Sequence, residues 1–137
     1  ADALGADGLI LTGHGVDLYQ PEVVTASMGS FFNLPAIRMA NNDTVFAWIA
    51  RQRDLHPGFQ VIGTTAHKQL NITQVDFRLP TLLMIGNETE GLCRAFKEGC
   101  DLLATIPMAD TSSASSFNVA CAATVMMYEV CRQRAQE

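Results

Sequence analysis

Pro80-Thr81-Leu82-Leu83-Met84-Ile85-Gly86-Asn87-Glu88-Thr89-Glu90-Gly91 decides how this chain is read. Four apolar residues in a row, closed by a proline on one side and a glycine on the other, are too few for a helix and lack polar alternation. They predict a strand buried on both faces, as in a parallel sheet. Outward from it, Gly91-Leu92-Cys93-Arg94-Ala95-Phe96-Lys97 predicts a short helix, and Leu102-Leu103-Ala104-Thr105-Ile106 a further strand that stops at Pro107. On the N-terminal side, Phe59 to Thr65 and Gly8 to Thr12 predict strands, and Pro35 to Met39 a brief one. Helices are predicted from Pro21 to Phe32 despite Gly29, from a cap at Asn42-Asp43-Thr44 to a stop at His56-Pro57-Gly58, and from Phe117 to Arg134 with Ser115 or Ser116 as N-cap. Ala1 to Leu4 before Gly5 read as the last turn of a helix. Strands alternating with helices give an α/β fold with a mainly parallel sheet covered by helices on both faces.

The chain has 137 residues, 48% hydrophobic and 17% charged, with a formal net charge of −5. That length suits one domain spanning residues 1–137, and the apolar content excludes disorder. No apolar run reaches the roughly 18 residues of a membrane span, and no signal peptide is visible, so a cytoplasmic protein is expected. Cys93, Cys100, Cys121 and Cys131 form no CxxC pair, and His14, His56 and His67 do not complete a zinc set. Buried, reduced thiols and no metal are the expectation. From Phe117 to Tyr128 the final helix carries only Asn118 and Thr124 as polar side chains, so it should be covered on more than one side, by its own sheet and by a second subunit, the alternative cover being a segment N-terminal to Ala1.

Ligands of parallel sheets sit beyond the carboxyl ends of the strands. Four strand ends carry small or polar residues: Thr12-Gly13-His14-Gly15, Gly63-Thr64-Thr65-Ala66-His67, Gly86 to Gly91, and Ile106-Pro107-Met108 with the serines behind it. No phosphate loop GxxxxGK[ST], no GxGxxG and no GxSxG is present, which removes the commonest nucleotide and serine-nucleophile readings.

Read together, Leu82 to Leu92, Ile106-Pro107-Met108 and Ser116-Phe117-Asn118-Val119-Ala120 resemble the second and third motifs of the SpoU/TrmH family of RNA ribose 2′-O-methyltransferases. Ala3 to Leu11 and Ala26-Ser27-Met28-Gly29-Ser30 look like its first region, so the resemblance covers nearly the whole chain. It implies the knotted SPOUT fold, with a trefoil knot near the C-terminus, S-adenosylmethionine as cofactor, no metal, a homodimer, and structured RNA (tRNA or rRNA) as substrate. Carried over residue by residue, it makes Gly86, Ile106, Met108 and Phe117 cofactor contacts, Phe117 replacing the family's usual leucine. Thr64 and Thr65 join them through their strand-end position. Glu88, Ser116 and Asn118 match the residues that position the ribose and the catalytic arginine. The loop from Met108 to Ser116 is about two residues longer than usual, which leaves Ser115 or Ser116 in the serine's place, and the following Phe117-Asn118 favours Ser116. The family's catalytic arginine would fall just upstream of Ala1, and an N-terminal region would supply part of the RNA affinity that an acidic domain lacks. A SPOUT enzyme methylating a base, and a non-catalytic cofactor- or RNA-binding fragment, remain the alternatives.

Overall fold

The computed structural model describes residues 1–67, 69–87 and 89–135. They form two compact units, residues 1–48 and 49–137. In the first, a 3₁₀ turn at Asp2–Leu4 closes on Gly5, whose φ of 69° lies in the left-handed region. The expected helix stop is therefore in place. Strands β1 (Leu9–Thr12) and β2 (Ala36–Met39) pair in parallel from Leu9 with Ala36 to Thr12 with Met39. Arg38 donates from its guanidinium to the carbonyls of Gly13 (3.0 Å) and Val16 (2.7 Å), holding the loop that leaves β1.

The helix predicted from Pro21 to Phe32 is shorter. Helix α1 is Pro21–Ala26, and a separate 3₁₀ turn occupies Ser30–Phe32. Between them Met28 and Gly29 have φ of 52° and 92°, and two left-handed residues in succession cannot continue an α-helix. Ser27 contributes by donating its hydroxyl to the Val24 carbonyl at 2.6 Å. Helix α2 is Asn42–Leu55, and its capping acceptor is Asn41 Oδ1, which takes the Thr44 N–H at 2.9 Å.

The second unit holds β3 (Gln60–Thr64), β4 (Leu70–Asn71), β5 (Thr81–Met84), α3 (Arg94–Gly99), β6 (Leu102–Thr105) and α4 (Val119–Arg134). Its sheet has the order β4-β6-β3-β5, parallel throughout. Pairing is thus parallel as expected but divided between two sheets, one per unit. The two-residue β4 and the 3₁₀ turn Ile72–Gln74 behind it escaped the sequence reading, because so short a segment has no periodicity. A capping box built by Asn71 and Gln74 marks the turn instead. Asp101 ties the start of β6 to its neighbours: its carboxylate accepts the Val61 N–H at 2.7 Å and the Arg53 guanidinium at 2.8 Å.

The core of this unit is Ile62, Ile72, Val75, Phe77, Ala104 and Met126, with Leu70, Leu83, Ile106 and Val130 packed against it. Helix α4 is clamped to residues 75–79 through its last turn. Gln133 accepts the Phe77 N–H at 2.8 Å and donates to the Val75 carbonyl at 3.0 Å, while Arg134 donates to the carbonyls of Phe77 (3.0 Å) and Leu79 (3.1 Å). Beneath them the buried Glu129 accepts two hydrogen bonds from Arg132 and one from Gln133, each 2.8 Å. None of the four cysteines is in a disulfide, but only part of the expected burial holds. Cys93 and Cys121 are exposed, and Cys100 and Cys131 are half-buried. The exposed pair occupy the cap position before α3 and the first turn of α4, outside the core. Burial does push the Cys100 thiol up to about 11, which makes it a poor nucleophile.

Two outcomes follow. Phe77→Ala removes a fully buried ring and should destabilise the fold by about 3–5 kcal/mol, read from urea denaturation. The Arg132 hydrogen bonds hold the Glu129 carboxyl below its ordinary value, so its contribution is present above the unfolded pKa of about 4.3 and lost as pH falls through the folded one. Glu129→Gln should therefore lower stability at neutral pH and flatten its decline between about pH 5 and pH 3, measured as the urea midpoint at each pH.

Candidate functional site

The register of the second sheet brings three strand ends to one edge. Gly63 pairs with Met84 on one side and Leu103 on the other, and Thr64 pairs with Ala104. Because the strands are parallel, the residues that follow them, Thr65, Ile85-Gly86 and Ile106, emerge side by side. The Thr65 N–H donates to the Ala104 carbonyl at 3.0 Å, continuing the ladder one step past β3. The centre of the edge is tightly packed. A Cβ on Gly63 would lie 2.6 Å from the Cys100 sulfur and under 3 Å from Leu103 and Leu92 side-chain carbons, so any side chain there would push these three neighbours aside.

Beyond β5 the chain doubles back. Asn87 and Gly91 exchange backbone hydrogen bonds (3.3 and 3.1 Å), and Asn87 Oδ1 accepts the N–H groups of Thr89 (3.0 Å) and Glu90 (2.7 Å). Gly91, at φ 69°, makes the reversal possible. The return is so close that a Cβ on Gly86 would overlap the backbone of Gly91 and Leu92. Beyond β6 the loop turns at the Ser112 N–H to the Ala109 carbonyl (2.9 Å) and enters α4 at Asn118. The expected cap, Ser115 or Ser116, is corrected here. Asn118 Oδ1 accepts the N–H groups of Ala120 (2.9 Å) and Cys121 (3.4 Å), so the helix starts at Val119, two residues later than expected. An asparagine carbonyl two or three residues from free N–H groups satisfies helix-start donors that the earlier serines do not reach.

These segments enclose a cavity of about 380 Å³. It is lined by Thr64 and Thr65 from the end of β3, Gly86 from the end of β5, and Ile106, Met108, Ser116 and Phe117 from the loop after β6. Seven of the nine candidate residues therefore meet in one place. Asn118 is not on the wall but caps the helix whose Val119 and Ala122 are. Glu88 lies outside the described residues. Three further lining residues, His67, Glu90 and Lys97, were not singled out for the site from sequence. Lys97 sits mid-way along a six-residue helix, where no motif or spacing distinguishes it from an ordinary surface lysine. Among the described residues no group of three or more His, Cys, Asp or Glu is placed to hold a metal ion.

The wall combines apolar side chains, threonine and serine hydroxyls and the backbone of two tight loops. That suits a flat, heteroaromatic ligand with a polar edge, at a volume within the usual range of about 300–1,000 Å³ for small-molecule sites.

Comparison with known proteins follows the same lines. The sequence profile of the SpoU rRNA Methylase family matches residues 1–128. The chain is 47% identical over 134 residues to the 23S rRNA (uridine(2479)-2′-O)-methyltransferase of Streptomyces viridochromogenes, a match covering 98% of this chain and 46% of that one. Among solved structures, the SpoU methyltransferase AviRb from Streptomyces viridochromogenes in complex with the cofactor AdoMet superposes with a TM-score of 0.92 at 46% identity, over 99% of this chain and 53% of that one. An AdoMet-bound rRNA methyltransferase from Sinorhizobium meliloti gives 0.83 at 36% identity, over 96% of this chain and 48% of that one. The chain spans about half the length of the relatives it matches. On the profile match, the 47% identity and the superposition, its α/β fold with parallel sheets is the SpoU methyltransferase fold, and the chain belongs to the SpoU rRNA methylase family.

Proposed function

We propose that residues 1–137 form the S-adenosylmethionine-binding domain of an RNA ribose 2′-O-methyltransferase acting on tRNA or rRNA. The observation that carries this is the meeting of Thr64, Thr65, Gly86, Ile106, Met108 and Phe117, six residues from three separate strand ends, around one cavity. Gly86, Ile106, Met108 and Phe117 are the positions that the family resemblance gives to the cofactor, and Thr64 and Thr65 join them by their strand-end position. The cavity suits that molecule: Gly86 lets two backbone segments approach closely, and Ile106, Met108 and Phe117 supply an apolar wall for an adenine ring. Bound there, S-adenosylmethionine supplies a methyl group activated by its sulfonium.

The chain's own contribution to the reaction is placement. Ser116, on the cavity wall, offers a hydroxyl to the substrate ribose. Asn118 holds the first turn of α4 and, through it, the approach of Ser116-Phe117. Glu88, by its motif position, orients the arginine that takes the 2′-OH proton. Holding a hydroxyl in line with the methyl carbon removes much of the entropic barrier of a two-molecule reaction. The family's knot would thread α4 past the β5 and β6 loops, a topology in keeping with both loops and α4 sharing the cavity wall. A homodimer is supported by α4, where Val125 and Tyr128 stay exposed at 37% and 59% on a largely apolar helix. Among the described residues no helix is long and apolar enough to cross a membrane.

The test is methyl transfer from labelled cofactor to tRNA and rRNA transcripts by the full-length protein, with the product cleaved in alkali. A 2′-O-methyl blocks cleavage at the modified nucleotide, so a labelled, alkali-resistant dinucleotide is expected. Label on a base would replace this reading with the base-methylating one. Ser116→Ala should slow transfer by about 10²-fold with cofactor affinity little changed, since the lost hydroxyl acts on the ribose. Gly86→Ala should instead weaken cofactor binding at least tenfold by calorimetry, roughly the 1.4 kcal/mol expected from spreading the two loops apart.

A further inference from the structure

The cavity's described wall carries one carboxylate and one ammonium, Glu90 and Lys97, both contributed by the segment from β5 into α3. Apolar side chains on the wall come from the same segment, Ile85 and Leu92, and from the loop after β6, Ile106, Met108 and Phe117. Among the described residues, neither charge has an ion-pair partner. The ion pairs among the described residues are Arg53–Asp101, Arg78–Asp76, Arg94–Glu98 and Arg132–Glu129. Glu98, the acid next to Lys97 in sequence, is taken by Arg94 at 2.7 Å. Glu90 lines the cavity, its backbone N–H closes the Asn87 turn, and its carboxylate has no hydrogen-bond donor among the described residues. Lys97, whose backbone N–H donates to the Cys93 carbonyl at 3.0 Å, is half-buried and lines the same cavity.

A cavity that offers apolar side chains for a heterocycle together with an acid and a base that have no partner among the described residues is complementary to a ligand with a zwitterionic end. We infer that Glu90 and Lys97 read the α-amino-acid end of the cofactor, Lys97 taking its carboxylate and Glu90 its ammonium. This rests on the cofactor reading proposed above and adds to it two specificity-determining residues. Charge-assisted hydrogen bonds to a free carboxylate and a free ammonium are the stronger kind, and a half-enclosed cavity screens them less than open water does.

Two thioether ligands isolate the effect. S-adenosylhomocysteine carries the amino-acid end, and 5′-methylthioadenosine has the same nucleoside without it. Calorimetry on the full-length protein should show Lys97→Met and Glu90→Gln each weakening S-adenosylhomocysteine by roughly tenfold, with 5′-methylthioadenosine unchanged. Lys97→Arg should restore most of the loss. Unchanged binding of both ligands would overturn the inference, and so would an equal loss of both, which would mean damage to the cavity's shape. If the wild-type protein binds 5′-methylthioadenosine but gains nothing from the amino-acid end, the inference fails while the cofactor site stands. If it binds neither ligand, the cofactor reading fails, and this inference with it.

Discussion

The second unit depends on β3 being hydrogen-bonded along both edges. A strand flanked by β5 on one side and β6 on the other cannot slip by one residue without turning Val61 and Ile62, both fully buried, toward the opposite faces and breaking two ladders at once. That constraint sets the level at which three chains leave the sheet, and hence where Thr64, Gly86 and Ile106 stand relative to one another. Gly63 sharpens it further, because Leu92, Leu103 and Cys100 close over the space a side chain would take. The site is a consequence of register before it is a consequence of side-chain chemistry.

The far end of the unit is organised by backbone groups that no strand satisfies. Residues 75–79 run without regular structure into β5, and their N–H and C=O groups would be costly to leave unpaired beside a core containing Phe77. Gln133 and Arg134 satisfy four of them, and Glu129 with Arg132 fixes the Gln133 side chain that does so. The clamp orients α4 along its length, so the same helix that buries Met126 in the core brings Val119 and Ala122 to the cavity. Stability at one end of α4 and the shape of the site at the other are two results of one placement.

Much of this was legible in the chain. Apolar runs bounded by Gly and Pro located five of the six strands, since a buried parallel strand needs apolar residues on both faces. Where the reading strayed, a local side chain had competed with periodicity. Ser27, Met28 and Gly29 end α1 early, and Asn118 outcompetes Ser115 and Ser116 as cap because its carbonyl oxygen reaches two N–H groups at once. The residues assigned to the cofactor by resemblance gather in one cavity, whereas Glu90 and Lys97 were not foreseen there because a charge on a short loop or helix has no signature until its surroundings are known.

Sequence by itself determined the class of fold, the parallel pairing and the family, and offered four strand ends as candidate ligand positions, of which three line the cavity and Thr12-Gly13-His14-Gly15 does not, because these follow from hydrophobic pattern, turn residues and ordered motifs, all local properties of the chain. Tertiary structure alone decided the order β4-β6-β3-β5, the meeting of residues 64, 86, 106 and 117 around one cavity, and the charges on its wall that have no partner among the described residues. Those depend on which distant backbone groups find each other and on which acids and bases have already been taken by nearer partners. No stretch of sequence, read along its own length, contains that information.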